Sequence, residues 1–330
     1  MQNKRESERE RMTNKITGEI NSARQRSVKQ RIKTSLSKMS PSLLKKAMKI
    51  SNHIYEFRRD IQVGRLADQI SNYYRSSEDP ELRRVAAYVF SNGIHMFPYE
   101  FRLKYASEAV QVCFDQNIGY PYVLMNAGRV YFPKETQEAE IQSGVATALM
   151  EQDEKSPHRY LSENTKLKPD DVAVLVGASD GIFCLSIVDR IRKAYLFEPD
   201  DRWEIPLKYT FAPHNGKVEV VKKFVSSIDK DDRISLDTFF SKRGEYVNYL
   251  QADMEGGEKD LLIGARNLLK NSNLELSICC YHREKDEKEL SEMLLHHGFR
   301  VEYSAGYMLM WMQVPCRKPF FRKGIIYASK

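Results

Sequence analysis

The chain has 330 residues, 42% of them hydrophobic, and a net charge of +7. That content can bury a sizeable core in about two domains, or in one large domain with an extension. No window approaches the apolar length of a membrane span, no apolar stretch follows the charged N-terminus as in a secretory signal, and the five cysteines contain no C-x-x-C pair that would suggest a disulfide framework or a zinc site. A cytoplasmic location is the expectation.

Residues 1–40 hold eleven Lys or Arg against four Glu, so the rest of the chain is electrically balanced. This basic arm is expected to be flexible or helical and solvated; a weak contact with an acidic membrane surface is the alternative. Residues 41–150 follow as a helical region with a small hairpin. Apolar residues at Leu44, Met48, Ile54, Phe57, Ile61, Leu66, Ile70 and Tyr73 predict helix, broken near Gly64. Pro80 opens a further helix over "PELRRVAAYVFSN". In "YVLMNAGRVYF" two extended runs flank "NAG", a hairpin with Gly128 at a positive φ. The polar stretch "MEQDEKSPHRYLSENTKLKPDD" marks a boundary, and residues 151–330 form the second domain.

From Val172 onward the pattern alternates. "VAVLV" is a strand buried on both faces, and Cys184, Ile187, Val188 and Ile191 then share one helix face. "KAYLFEPD" is a strand ending in acid, "RWEIPLKYTF" a short helix interrupted by Pro206, and "KVEVVKKFV" a strand. "YVNYLQADMEGGE" runs from strand into glycine, "KDLLIGARNLLK" is a helix, "LELSICCYH" a strand and "DEKELSEMLLHHG" a helix stopped by Gly298. "RVEYSAGYMLMWMQV" closes the chain as a pair of extended segments. The alternation predicts a doubly wound, mostly parallel α/β sheet with an antiparallel hairpin at its end.

Ligands of such sheets bind outside the carboxyl ends of the strands. There the first strand presents Gly177 to Gly181, the second Glu198 and Asp200, the fourth Asp253 and Glu255, and the fifth Tyr281 and His282. Glycine at both ends of "GASDG" lets a ligand lie on bare backbone near helix amides, although the spacing lacks the middle glycine of a dinucleotide fingerprint, and a plain tight turn stays open. Glu198 is placed to take both hydroxyls of a ribose; Trp203 stacks on a base or belongs to the core. His282, Asp253, Glu255 and His158 in "SPHRY" are candidates to accept a hydroxyl proton. Each has a structural rival: a histidine bonded to backbone, acids favoured at a helix start beside Gly256 and Gly257, or a loop that merely joins domains. Asp253 and Glu255 offer oxygen ligands, so a metal stays open, but no complete ligand set is visible and no metal-binding residue is assigned.

"VGASDG", "FEPD", "SLDTFF", "ADMEGGEKDLL" and "CYHRE", in this order over roughly residues 145–328, resemble the successive motifs of the FkbM-type methyltransferases. "EQDEKSPHRYL" resembles a segment that precedes the domain in some bacterial members. The resemblance implies a seven-stranded, Rossmann-like methyltransferase fold, here with a helical N-terminal extension. It also implies S-adenosylmethionine as cofactor and transfer of its methyl group to a hydroxyl of a sugar or glycan. Gly177, Ala178, Ser179, Asp180 and Gly181 would then lie under the methionine part, Glu198, Pro199 and Asp200 at the ribose, Trp203 at the adenine, and Asp253 beside the cofactor.

Two positions depart from the family pattern: Leu175 stands where an acid is usual, and Gln251 where a lysine is usual. Asp180 or Asp253 is expected to take over the cofactor's ammonium. The departures also sustain an alternative: a cofactor-binding module without catalysis that serves as an assembly partner. Nucleic acid is disfavoured as an acceptor, because outside the arm no net positive charge meets a phosphate backbone.

Overall fold

The computed structural model describes residues 64–126, 128–214, 216–310 and 316–330. By compactness the chain divides into Met1–Tyr73 and Tyr74–Lys330. In the first unit residues 64–73 are helical, in line with the periodicity after Gly64; the basic arm and the helix expected before that glycine lie outside the described residues.

The second unit opens with α1 (Pro80–Asn92) where the sequence places it. The Asp79 side chain accepts the Glu81 N–H at 2.7 Å, and Pro80 sits in the first turn, where a missing N–H costs nothing. A three-stranded antiparallel sheet follows: β1 (Val112–Asp115), β2 (Tyr120–Met125) and β3 (Gly128–Tyr131). The expected hairpin joins β2 to β3, with Met125 opposite Gly128 at φ 144; β1 is an addition to it. Then comes α2 (Glu138–Glu151).

The main sheet takes β4 (Val172–Val176), β5 (Lys193–Phe197) and β6 (Val218–Val221). A small parallel pair, β7 (Phe224–Val225) and β8 (Arg233–Ile234), intervenes before β9 (Tyr249–Ala252) and β10 (Glu275–Cys279). β11 (Arg300–Tyr303), the short pair β12 (Met308–Leu309) and β13 (Phe321–Arg322), and β14 (Ile325–Ser329) complete the chain. The sheet order is β11-β14-β10-β9-β4-β5-β6. Five strands run parallel through β10-β9-β4-β5-β6, and β14 is antiparallel to both of its neighbours. Among the intervening helices are α3 (Ile182–Ile187), α4 (Asp201–Phe211), α5 (Leu236–Ser241), α6 (Glu258–Ile263) and α7 (Asp286–His296).

β4 is buried throughout, as its unbroken apolar run requires. Val172, Val174 and Val176 face a core shared with Leu261 and Leu262 of α6 and Leu290 and Leu294 of α7. Ala173 and Leu175 face the opposite core with Ile182 and Leu185 of α3 and Ile141 and Val145 of α2. This is the doubly wound fold expected from the alternation.

Three expectations change. The boundary at 150/151 does not divide the packing, because α2 belongs to the core under β4 and residues 74–330 form one unit. α4 continues through Pro206 rather than stopping there. The last strand is not half of a hairpin over "RVEYSAGYMLMWMQV": β14, with Ile325, Ile326 and Ala328 buried, inserts between β10 and β11.

Candidate functional site

Between β4 and α3 the chain turns through Gly177 at φ 77, Ser179 at φ 44 and Gly181 at φ 75. The Gly177 and Ala178 N–H groups donate to the Phe197 carbonyl at 3.0 and 3.4 Å, and the Gly181 N–H to the Ala178 carbonyl at 2.9 Å. The Ser179 N–H donates to Glu198 Oε2 at 2.8 Å and the Ile182 N–H to Asp180 Oδ1 at 2.9 Å. The amides of Gly177, Ala178 and Ser179 are thus taken up by the end of β5, and those of Gly181 and Ile182 by the turn itself.

Its glycines are likewise explained by packing. A Cβ at Gly177 would fall on the Asp253 carbonyl oxygen, and one at Gly181 would come within 2.9 Å of Leu207 Cδ2 and Phe211 Cε2. Both also hold φ values that side chains rarely adopt. A valine at Gly177 would therefore strike the fold before it struck a ligand.

At the end of β5, buried Glu198 accepts the Asp200 N–H through Oε1 at 2.9 Å as well as the Ser179 N–H through Oε2. A carboxylate retains further lone pairs beyond these two bonds. Asp200 caps α4, accepting the Arg202 N–H at 2.9 Å, and pairs with the Arg202 guanidinium at 2.6 Å. Trp203 packs edge-on against Phe132, centroids 5.9 Å apart, and lies partly buried in the core under β4.

A cavity of about 290 Å³ opens at the carboxyl ends of β4 and β9. The chain winds outward one way through β5 and β6, then returns to β9 and β10 on the other side of β4, so the cavity lies at the reversal point where open α/β sheets take ligands. Gly177, Ala178, Ser179 and Asp180 form one wall; Tyr160 and Asp253 contribute to another. Leu175 and Gln251 are cross-strand partners and both line it. Gly181, Glu198, Pro199, Asp200 and Trp203 lie outside its lining. Sequence reading missed Glu151 of α2, which faces this cavity with its carboxyl pushed up to about 7 by burial. Asp180 is pushed up to about 6 by the same cause.

Beyond β9, four side chains converge on Asp253. The Tyr160 hydroxyl donates to Oδ2 at 2.7 Å and the Tyr281 hydroxyl approaches Oδ1 at 3.4 Å. His158 Nε2 lies 3.3 Å from Oδ2 and 3.0 Å from the Tyr281 hydroxyl; His282 Nε2 lies 3.3 Å from Oδ1. His282 Nδ1 faces Glu258 Oε1 at 3.0 Å, and that buried carboxylate also accepts the Met254 N–H. Burial opposes charge on His282, but Asp253 and Glu258 outweigh it and push the imidazole up to about 10. Burial also opposes charge on Asp253, yet His158 and His282 hold it far below the usual carboxylate range. His158 is raised too: Glu151 and Asp253 overcome its desolvation.

Of the four residues named as bases, Asp253 alone lines the cavity. His158 and His282 stand behind it, 1% and 8% exposed. Held up to about 10, the His282 imidazole favours its charged form at neutral pH, which weighs against the neutral base expected of it. Glu255 is exposed, in the left-handed region at φ 52, with His282 Nε2 3.7 Å away. Its neighbours Gly256 and Gly257 face Arg283 and Met254 rather than the cavity. In each of two sets, His158–Asp253–Cys279 and Asp253–Glu258–His282, the donor atoms lie within 4.8 Å of one another. In both, Asp253 is already engaged by the tyrosines and imidazoles.

No family model matches the chain, and no curated protein matches it. Among solved structures, methyltransferase FkbM from Methylobacillus flagellatus KT is 16% identical, with 58% of this chain and 54% of that chain covered and a TM-score of 0.41. This chain therefore spans about half the length of that protein. The fibrillarin pre-rRNA processing protein of Methanococcus jannaschii is 14% identical over 66% of this chain and 96% of that one, TM-score 0.39. An rRNA methylase from Streptococcus thermophilus is 12% identical over 50% and 89%, TM-score 0.35. At these identities and scores the likenesses add nothing to the chemistry, which follows from the site's own residues.

Proposed function

We propose that this chain is an S-adenosylmethionine-dependent methyltransferase acting on a hydroxyl of a sugar or glycan, with residues 151–330 supplying most of the cofactor site. The observation that carries the reading is the cavity at the β4–β9 reversal point, bounded by the glycine turn and by carboxylates. Glu151, Asp180 and Asp253 line its walls with no Lys, Arg or His among the described lining residues, which suits a ligand that is itself cationic. When bound, the cofactor supplies an electrophilic methyl group on a sulfonium. The motif order from "VGASDG" to "CYHRE" supports the hydroxyl acceptor.

In this reading Glu198 takes ribose hydroxyls on its remaining lone pairs while it holds the turn through Ser179 and Asp200. Asp253 accepts the acceptor's hydroxyl and orients it; His158 and His282 keep it ionised. A carboxylate held so far down is a weak base. That suffices, because the hydroxyl proton becomes strongly acidic once the new carbon–oxygen bond forms. Tyr160 and Tyr281 fix the carboxylate's direction.

The engagement of Asp253 and the charge on His282 favour one second reading, a module that binds the cofactor without turning it over. Calorimetry with S-adenosylmethionine and S-adenosylhomocysteine tests what the two share: binding of both is expected, and binding of neither ends both readings. Mass analysis of cell-surface glycans with and without the protein then separates them. Loss of one methyl increment is expected for the enzyme.

A further inference from the structure

Along α2, Gly144, Thr147, Ala148 and Glu151 all line the cavity. Their spacing of i, i+3, i+4 and i+7 puts them on one helix face. Three are small and leave room; the fourth carries an acid at the helix's last turn. Opposite, on the floor made by β4 and β9, Gln251 is only 3% exposed. Neither its carboxamide nor the Glu151 carboxylate makes a hydrogen bond or ion pair with any described residue. The other two acids of the cavity are committed, Asp180 to the Ile182 N–H and Asp253 to two tyrosines and two histidines.

An amide that lines a cavity without a protein partner is free to bond a ligand there. An unpaired carboxylate beside it calls for a cation. Together they are complementary to a zwitterion of the α-amino acid type. We infer that Glu151 takes the α-ammonium and Gln251 the α-carboxylate of the cofactor's amino-acid end, so that the anchor absent at Leu175 is supplied from α2. This rests on the cofactor reading above. It also explains why two departures from the pattern occur side by side: Leu175 and Gln251 are paired across β4 and β9, and the charge has moved to the helix that covers them.

Glu151 is held near half-protonation at neutral pH by burial and by the carboxylates of Asp253, Asp180 and Glu255, against the opposing effect of His158. An ammonium placed on it lowers its pKa. Binding below pH 7 must then expel a proton from the protein, and affinity must rise with pH up to about 7.

The test is calorimetry at pH 6.2 in two buffers of different ionisation enthalpy. The probes are S-adenosylhomocysteine and methylthioadenosine, which keeps the nucleoside but lacks the amino-acid end. Wild type is expected to release a substantial fraction of a proton on binding S-adenosylhomocysteine and none on binding methylthioadenosine. Glu151→Gln should weaken S-adenosylhomocysteine at least tenfold, abolish the proton release and leave methylthioadenosine unchanged; Gln251→Leu should weaken the first ligand selectively too. Unchanged S-adenosylhomocysteine affinity in Glu151→Gln, or equal losses for both ligands, overturns the assignment while leaving the cofactor reading intact. Wild type that binds neither ligand overturns the cofactor reading itself. The glutamine variant keeps the fold, because a carboxyl raised by burial penalises folding progressively as pH climbs from about 4.5 to 7. Its melting temperature at pH 8 should be no lower than wild type.

Discussion

On one side of the cavity the turn from Gly177 to Gly181 is held mainly by backbone: amide to carbonyl, and bare Cα against the Asp253 carbonyl. On the other side Asp253 is held by side chains drawn from widely separated segments: His158 and Tyr160 from the loop before β4, Tyr281 and His282 from the end of β10, and through His282 also Glu258 of α6. The close contact at Gly177 that sets the first wall is steric and pH-indifferent. The second wall is electrostatic and balances buried charges that none of its members could carry alone. Damage to the two walls should therefore look different.

The largest effect is expected at the steric wall. Gly177→Ala places a methyl on the Asp253 carbonyl oxygen at a position whose φ of 77 already disfavours alanine. Relief would require β4 and β9 to part, so the variant should lose about 4 kcal/mol or more, or fail to fold. Urea unfolding at pH 6 and pH 9 should give the same loss. A strong pH dependence would break the contrast between the walls.

At the electrostatic wall, His282→Gln removes the cation between Asp253 and Glu258. Leaving buried Glu258 without its cation, and Asp253 with His158 as its remaining one, should cost about 3 to 5 kcal/mol near neutral pH. The folded imidazole is held charged to about 10, against about 6.5 in the unfolded chain. Its contribution is thus fully present below about 6.5 and is lost as pH rises through about 10. The gap in melting temperature between wild type and variant should narrow steadily from pH 6 to pH 10; a constant gap would mean that His282 acts by packing alone. Turnover limited by this group would not change from about pH 5.5 to 8, since it does not titrate there.

The same contrast marks what could be read from the sequence. Strand ends and the glycine turn are local patterns, and they placed Gly177 to Gly181, Glu198, Asp253 and His282 at the proper ends of their strands. Side-chain convergence is not local. Tyr160 reaches Asp253 across 93 positions, and nothing in "SPHRY" announces that partner. The charge on His282 depends on Glu258 turning inward from the first turn of α6, where a helix-start acid would ordinarily be solvated. Glu151 ends a helix that appeared to belong to a separate region. Only the packing of Ile141 and Val145 against Ala173 and Leu175 brings its carboxylate to the cavity. β14 went unseen for a related reason, since its place between β10 and β11 is set by pairing rather than by its five residues.

The smallest effect comes from Gly144→Ala, and it sharpens the comparison because it adds a third wall, that of α2. Gly144 lies inside the helix, lines the cavity, and has no atom within 4 Å of the position a Cβ would take. Alanine there should raise stability by about 0.5 to 1 kcal/mol, because glycine loses more backbone entropy in a helix interior. For a unit of this size that is a rise of about 1 to 4 °C in melting temperature. The new methyl points into the space left by the small residues of α2. If the ligand's amino-acid end lies against that face, affinity for S-adenosylhomocysteine should fall several-fold even as the protein becomes more stable. Unchanged affinity in a stabilised Gly144→Ala would confine the ligand to the side of the glycine turn and detach α2 from the binding site. A fall in both stability and affinity would mean that the helix has shifted, and the separation of walls would not hold.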